Sequence, residues 1–518
     1  MHPLWLANQD PASSWAHQTW SDLAARHDKA LTVVVLPVHG FADHALGLPL
    51  DVEEAVGSAV LGAALTAGAL QPYALVLPPF CLGAAPYGHC HFGVDCETAL
   101  DALAEIAASV KAAGFSRLLF FNTSPWNAEL VATAAIDART ALDLRTYVIA
   151  SANLGLGFHP AEAQRVQTQA VAARLLGRTP VLSAASADVR DTDFRPGFFG
   201  QPAPVAPDFS LDATAVFSAA ARKLAGLLGE IVLHETSAAD GTGAVNTPTL
   251  PPVATAIAFP QPGESSAALP RALTALTAAE LAALPDKARA LVILPTGAIE
   301  QHGHHLPLGT DAMLGRLWLT HALPRLAADA PVFVAPPIVF GKSNEHLRFA
   351  GTVSISARTL RRQLLAQVAH LQALGFRQFA VLNTHGGNTP VVVTTLREIQ
   401  AMAGVRAGML SGYYQPVQEP QEAAFGFHAG EWETSLMLAG APEWVRMDRA
   451  VCEYPAQLDA PGGLRPEGGA AVFAWKTADI SKSGVMGDAT RATAEKGARW
   501  LDEAAAALAR KLTALLAG

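Results

Sequence analysis

The sequence predicts an α/β fold in two successive copies, each a mainly parallel central sheet flanked by helices. Three observations predict it. Short apolar runs alternate with helix-patterned segments along the whole chain. The 518 residues exceed what one ordinary core holds. The two halves can also be laid over each other in order, element upon element.

The alternation is regular. LTVVVLPV (31–38), YALVLPP (73–79), RLLFFN (117–122) and TYVIAS (146–151) read as strands, with helices expected over 52–69, 97–113, 126–138 and 160–176. The rhythm returns with ALVILPT (290–296), PVFVAPP (331–337), QFAVLN (378–383) and RAGMLSGYY (406–414). Helices then fall near 311–327, 357–374, 389–403, 428–440 and 490–515. A strand–helix–strand rhythm implies parallel pairing, because the returning chain crosses over the sheet as a helix.

An offset of 258 residues places Pro37 on Pro295, Leu48-Pro49-Leu50 on Leu306-Pro307-Leu308, and Pro78-Pro79 on Pro336-Pro337. After a short deletion, GFSRLLFFNTSPWN (114–127) matches GFRQFAVLNTHGGN (375–388), and FHPAEAQ (158–164) resembles FHAGEWE (427–433). A fixed period of this kind marks a tandem duplication. The expected boundaries are a first domain at 1–233, a Gly-, Pro-, Ser- and Thr-rich linker at 234–267, and a second domain at 268–518.

Composition excludes several classes. With 51% hydrophobic and 16% charged residues the chain is globular rather than disordered. Lys and Arg form no runs and the net charge is −9, so a nucleic-acid surface is not expected. No apolar run reaches membrane-spanning length, so no membrane partner is expected. Four cysteines are too few for a disulfide framework, and MHPLWLANQDPASSW has neither a basic nor an apolar leader region. A reducing cytoplasm is the expected location. The segment GHCHFGVDC (88–96) lacks a paired C-x2-C spacing and overlies an ordinary turn of the second copy, so it is not read as a zinc site.

The chemistry gathers in the second copy, past three strand ends, where loops of open α/β sheets carry their sites. LPTGAIEQHGHHLPLGTD (294–311) carries Glu300, His302, His304, His305 and Asp311; VLNTHGGN carries His385; HAGEWETS carries His428, Glu431 and Glu433. Imidazole and carboxylate ligands without cysteine suit Zn2+, Mn2+ or Fe2+. Two ions need a bridging carboxylate, for which Asp311 is the natural choice. Glu300 and His302 point to different sides of an extended turn and serve one ion each, with His385 completing one of them. On the helix expected over 428–440, His428 and Glu431 are three apart and share a face, while Glu433 points elsewhere. Glu431 is then the remaining ligand, and Glu433 a supporting group.

These residues resemble the creatininase (creatinine amidohydrolase) family. The resemblance lies in GAIEQHGHHLPLGTD, NTHGGN and HAGEWETS, with FAGTVSI (349–355) and GVMGDATRATAEKG (484–497), and spans about 268–518. It implies a dinuclear metal site, two divalent ions per chain, and hydrolysis of C–N bonds in small amides. By that resemblance Glu300, His302, Asp311 and His385 are ligands and His428 is at the catalytic centre. His304, His305, His346, Tyr414 and Trp432 are expected around the substrate, and Asn383 and Asn388 behind the ligands. One departure is plain. Creatininase proper resembles N-G-H-Y-E-N at the second turn, where this chain has Gly387 in place of the glutamate.

The first copy keeps the scaffold and loses ligands. Glu300 corresponds to Ala42 and His385 to Ser124, while His44 and Glu53 stand for His302 and Asp311. His159 and Glu162 stand for His428 and Glu431. The expectation is a metal-dependent amidohydrolase whose only active centre is in the second copy. The first copy takes the place of a partner subunit in a homo-oligomer. The rivals are hydrolysis of a ring ketone or lactone in the same family, and a non-enzymatic ligand-binding scaffold.

Overall fold

A computed structural model describes residues 10–44, 47–84, 90–158, 165–178, 212–234, 248–260, 271–412, 414–455, 464–469 and 471–517. The chain divides into two compact units.

The first unit holds a parallel sheet of β1 (Val33–His39), β2 (Ala74–Val76), β3 (Phe80–Cys81), β4 (Arg117–Asn122) and β5 (Arg145–Ala150). The order is β2-β1-β4-β5, with β3 also on β1. Both faces of β1 and β4 are buried, which explains their unbroken apolar runs. Helices α1 (Val52–Ala67), α2 (Cys96–Ala112), α3 (Ala128–Leu142), α4 (Arg165–Leu176) and α5 (Ala213–Leu233) belong to this unit. Val33, Val35, Leu119 and Phe121 pack with Val56, Val60, Phe217 and Leu224 in one core. Buried Arg117 donates to the carbonyls of Ile231 and Val232, a cation against the last turn of α5.

The second unit repeats the arrangement. Its strands are β6 (Leu291–Thr296), β7 (Val332–Val334), β8 (Gln378–Asn383) and β9 (Arg406–Met409), all parallel, in the order β7-β6-β8-β9. Its helices are α6 (Thr310–Ala322), α7 (Ala357–Ala373), α8 (Thr389–Gln400), α9 (Glu431–Gly440) and α10 (Ala494–Ala517). Leu291, Ile293, Val332 and Leu382 pack with Leu319, Leu508 and Leu512.

The expected strands and helices fall near where the alternation puts them, helix α5 (Ala213–Leu233) was not among those expected, and four expected elements differ. The helix expected over 428–440 begins only at Glu431. Helix α6 ends at Ala322, where Pro324 and a 3-10 turn take over. Strand β9 stops at Met409. The described part of the expected linker, 248–260, has no helix or strand but is not free: Leu250, Val253, Ile257 and Phe259 pack on the first core. The start of the helix expected at 160, with His159 and Glu162, lies outside the described residues. Among the described residues, no helix is long and apolar enough to cross a membrane.

Candidate metal centre

The centre of the second unit is built at the carboxyl ends of β6 and β8. After β6 the chain runs through Glu300, Gln301 and His302, turns at Gly303 (φ 69), and enters α6 with Asp311 in its first turn. Positive φ suits glycine there, and a Cβ would lie 2.6 Å from Val485 and 2.9 Å from His305. After β8 the turn 383–388 presents His385. Asn383 and Asn388 fasten that turn: Asn383 Nδ2 donates to His385 O at 2.7 Å, and Asn388 Nδ2 to Gly297 O at 2.9 Å.

Glu300, His302, Asp311, His385, His346 and His428 are all buried. Glu300 Oε1 lies 3.1 Å from His385 Nδ1, 3.5 Å from His346 Nε2, 3.8 Å from His428 Nδ1 and 4.0 Å from His302 Nε2. Asp311 stands between two imidazoles, with Oδ1 3.4 Å from His302 Nε2 and Oδ2 3.5 Å from His385 Nδ1. Glu433 Oε2 approaches His302 Nε2 at 3.9 Å. Its side chain is 17% exposed, the most open of these carboxylates.

Three of the histidines are oriented the same way. The outer nitrogen of each meets a backbone carbonyl: His302 Nδ1 on Glu300 O at 3.1 Å, His385 Nε2 on Lys342 O at 3.0 Å, and His428 Nε2 on Gln301 O at 2.9 Å. The other nitrogen of each faces the carboxylates. The Gln301 amide then donates to Gly484 O and His346 Nδ1, both at 3.0 Å. Anchoring of the rear nitrogen by a carbonyl is what holds metal-binding imidazoles in one tautomer and direction.

The charges are strongly perturbed. Burial alone would raise Glu300, but His346, His385 and His428 overcome it and hold the carboxyl well below its usual range. Burial and the neighbouring Glu300 push Asp311 up to about 7. Burial opposes charge on His302, yet Asp311, Glu433 and Glu300 lift it to about 9. His385 rises well above the usual imidazole value against its burial, because of Glu300, Glu345 and Asp311. Burial drives His346 to about 3 and, with His302 nearby, His428 to about 4.

This set fits divalent cations. Both Glu300 oxygens, His302 Nε2 and Asp311 Oδ2 are buried without a hydrogen-bond partner, which is costly unless something else binds them. Two ligands on a tetrahedral zinc lie about 3.3 Å apart, given metal–ligand distances of about 2.0–2.1 Å. Three groups converge closely enough to share an ion: Glu300–His302–Asp311, Glu300–His346–His428 and His302–His428–Glu433.

Other expected residues fall elsewhere. Glu431 stands outside the cluster; its carboxylate is held by Lys496 Nζ at 2.5 Å. The reason is where the helix starts. His428 is extended and bridges Met486, the backbone turns at Ala429 (φ 52), and α9 begins with Glu431. The shared helical face of His428 and Glu431 therefore does not exist, and Glu433 takes the inward direction. The structure packs Trp432 on Tyr414 and Trp500, and bonds Tyr414 to Glu503 of α10. His305 is buried, bonded to Thr434 Oγ1 at 2.8 Å. His304 is half-buried under Trp20.

Sequence reasoning missed Gln301, Trp475 and Glu345. Trp475 lies edge-on to His346 at 6.1 Å. Glu345 Oε1 is 3.5 Å from His385 Nε2, and a Cβ on Gly387 would lie 2.0 Å from that oxygen. Glu345 thus fills space that a side chain at 387 would need. The glycine at 387, the departure at the second turn, was the available signal.

The family model described as Creatininase: Creatinine amidohydrolase matches residues 16–181 and 274–512. The chain belongs to the creatininase family. Within it, the chain is 36% identical over 214 residues to the mycofactocin precursor peptide peptidase of Mycobacterium ulcerans, covering 40% of this chain and 78% of that protein. It is 30% identical over 228 residues to the creatinine amidohydrolase of Pseudomonas putida, covering 40% and 82%. It is 29% identical over 234 residues to the 3-dehydro-scyllo-inosose hydrolase of Thermotoga maritima, covering 40% and 71%. These family relatives are all hydrolases by name.

The first copy, also matched by the family model, has a different centre. His44 Nε2 meets Glu53 Oε1 at 3.0 Å, and Glu53 Oε2 accepts from Gly40 N–H at 2.6 Å and Thr123 Oγ1 at 3.2 Å. His44 is flanked by Phe158 and Trp126, with ring centroids at 4.6 and 5.2 Å. Among the described residues, all converging ligand groups lie in the second unit.

Proposed function

We propose that the second unit is a metal-dependent hydrolase that cleaves a C–N bond of a small amide, and that the first copy is non-catalytic. One observation carries the reading: three imidazoles, each anchored through a backbone carbonyl, turn their free nitrogens onto the same buried carboxylates. Glu300, His302, Asp311, His385 and Glu433 would hold two divalent ions. Zinc suits the donors best, and manganese or iron(II) fits the same set. Such ions, when bound, supply Lewis acidity and lower the pKa of water toward neutrality.

The chain's own residues do the rest. His428 Nε2 lies 2.9 Å from both Gln301 O and the Gln301 amide nitrogen; in the tautomer that donates Nε2–H to Gln301 O, Nδ1 presents its lone pair toward Glu300. Burial keeps this imidazole neutral at neutral pH. It is therefore able to take a proton at Nδ1 and return it to a departing nitrogen. Gln301 fixes its direction and that of His346. Trp475 lies edge-on to His346, and Glu433 is the most exposed carboxylate of the cluster. His304 and Trp20 form a second aromatic edge beside an open cavity of about 420 Å³ lined by Ser21, Asp22, Ala25, His304 and Arg449.

The C–N bond is favoured by a peptidase and an amidohydrolase among the relatives. A ring-ketone substrate is the second reading, from the inosose hydrolase. We also propose that the first copy stands where a partner subunit would in an oligomer of single-copy proteins. The test is turnover by zinc- or manganese-loaded protein on creatinine, short peptides and an inosose. Hydrolysis of an amide that disappears in Asp311→Ala supports the reading. Turnover of the ring ketone alone moves the bond, and full activity in Asp311→Ala overturns the site.

A further inference from the structure

Each sheet is preceded by an arm of the same design. A 3-10 turn (Trp15–His17 or Leu273–Ala275) leads to a short capped helix (Trp20–Ala25 or Ala278–Ala283). Both helices open with the same capping box, Thr19 with Asp22 and Thr277 with Glu280. The arms correspond residue for residue at the offset of 258, and the family match begins at their equivalent positions 16 and 274.

The arms are exchanged. Ala16–Arg26 belongs to the second unit and Leu273–Leu284 to the first. The residues just before them stay with their own sheets: Ser14 bridges Val76 of β2, and Ala272 bridges Val334 of β7. The seating bonds repeat as well. In the second unit, Leu308 N–H donates to Gln18 O and Gly309 N–H to Ala16 O, both at 2.9 Å. In the first, Leu50 N–H donates to Leu276 O at 3.0 Å and Asp51 N–H to Thr274 O at 3.2 Å. Adding 258 to the first unit's donors gives those of the second; subtracting it from the arm residues gives their counterparts.

The arms differ at one telling position. Trp20 of the first arm corresponds to Ala278 of the second. The Trp20 ring lies 4.6 Å from His304 and 5.0 Å from Phe349, and its Nε1–H donates to Ser483 O at 3.1 Å. The next residue, Gly484 (φ 90), is pressed on Gln301; a Cβ there would lie 1.8 Å from Gln301 Oε1. Gln301 in turn holds His346 and His428. The indole is thus carried to the unit with the histidine cluster, and the alanine to the unit that has lost it.

We propose that the first copy persists because its arm completes the metal-bearing unit in the same chain. Trp20 is the positioning residue that holds Ser483-Gly484 against Gln301, and through it His346 and His428. The arm's docking stands independently; the positioning role rests on the metal-centre reading.

Two measurements on the full-length protein test this. The first traps the arm. An ideal Cβ on Gly309 lies 3.1 Å from Ala16 Cβ, so a disulfide spacing of about 3.5–4.5 Å needs only a small shift. Ala16→Cys with Gly309→Cys is made with Cys96→Ser and Cys452→Ser, and a protease site is placed within 240–247. After cleavage, the two fragments are expected to stay joined under non-reducing denaturing conditions, at single-chain mass, at every protein concentration. Separate fragments, or a disulfide formed only between chains, overturn exchange within the chain.

The second measures zinc alone against a chelating dye, beside the urea midpoint. Trp20→Ala is expected to weaken zinc at least threefold, in line with losses of about 10–100-fold for groups directly behind ligands. Trp20→Phe keeps the ring on His304 and Phe349 and recovers part of the loss. Ala278→Trp added to Trp20→Ala restores nothing, because residue 278 belongs to the other unit. Unchanged zinc affinity in Trp20→Ala, or rescue by Ala278→Trp, overturns the positioning role. Wild-type protein that binds no zinc fails the metal reading instead, and the disulfide still decides the exchange.

Discussion

Asp311 Oδ1 lies 3.4 Å from His302 Nε2, and their counterparts in the first unit, Glu53 and His44, meet at 3.0 Å. The same pair thus does two things. In the second unit Asp311 has a further imidazole, His385, on its other oxygen. In the first unit Ser124 replaces that histidine, and Glu53 turns its other oxygen to Gly40 N–H and Thr123. Asp311 thus faces two imidazoles, whereas Glu53 faces one imidazole on one oxygen and a backbone amide and a hydroxyl on the other.

Asp311→Asn should therefore abolish stoichiometric metal. The side chain stays the same size but loses the charge that faces two ligands. The expected loss in affinity exceeds the roughly 10–100-fold typical of supporting groups. Elemental analysis per chain checks it, with about two ions in the wild type falling to one or none.

His44→Ala should leave metal content unchanged and cost stability. Removing one partner of a buried polar contact costs about 1–3 kcal/mol, and Glu53 keeps two hydrogen bonds, so a loss within that range is expected. Urea unfolding beside elemental analysis separates the two effects. Loss of metal in this variant would place a working site in the first copy.

Metal loading should release protons. His302, raised to about 9, and His385, raised well above its usual value, are protonated at pH 7 without metal. Ligand imidazoles must be neutral and carboxylates ionised, so loading is expected to release about two protons from the histidines and about half of one from Asp311. Calorimetry in buffers of different ionisation enthalpy measures this. Stability of the metal-free protein follows the same groups. A raised imidazole favours folding fully below about pH 6.5, and that contribution is lost as pH rises through about 9. Asp311, raised to about 7, acts in the same direction. The depressed His305, His346 and His428 are neutral in both states above about pH 6.5 and drop out of that window. Metal-free protein should thus weaken from pH 6.5 to 9 faster than loaded protein.

Much of this was legible in the sequence, for local reasons. Strands β4 and β8 occupy 117–122 and 378–383 as their apolar runs indicate, because their central residues are buried on both faces and the polar residues stand at the strand ends. Glu300, His302, Asp311 and His385 are named by the two turns that carry them. Non-local choices were not legible. The short helices capped by Thr19 and Thr277 were not among the expected elements, nor were the units in which they sit. Glu345 lies 40 residues before His385 in the chain, and only the fold brings them together. Glu431 was misplaced because one positive φ at Ala429 delays the helix by three residues, which no composition signal marks.

That delay yields the sharpest test of the centre. Glu431 and Glu433 are two apart on α9, so they leave the helix in different directions. Glu433 Oε2 faces His302 and accepts from Ala429 N–H at 2.6 Å, which also fixes the turn carrying His428. Glu431 is buried against Lys496, and its backbone N–H donates to Glu422. Glu433→Gln should lower metal affinity by about 10-fold or more with a small change in unfolding midpoint. Glu431→Gln should keep both ions yet destabilise by about 1–3 kcal/mol, since the half-buried Lys496 ammonium loses its carboxylate. A chelator titration with urea unfolding on both variants decides it. The reverse pattern, with metal lost in Glu431→Gln and kept in Glu433→Gln, would return Glu431 to the ligand set and require α9 to begin earlier, with His428 on its face.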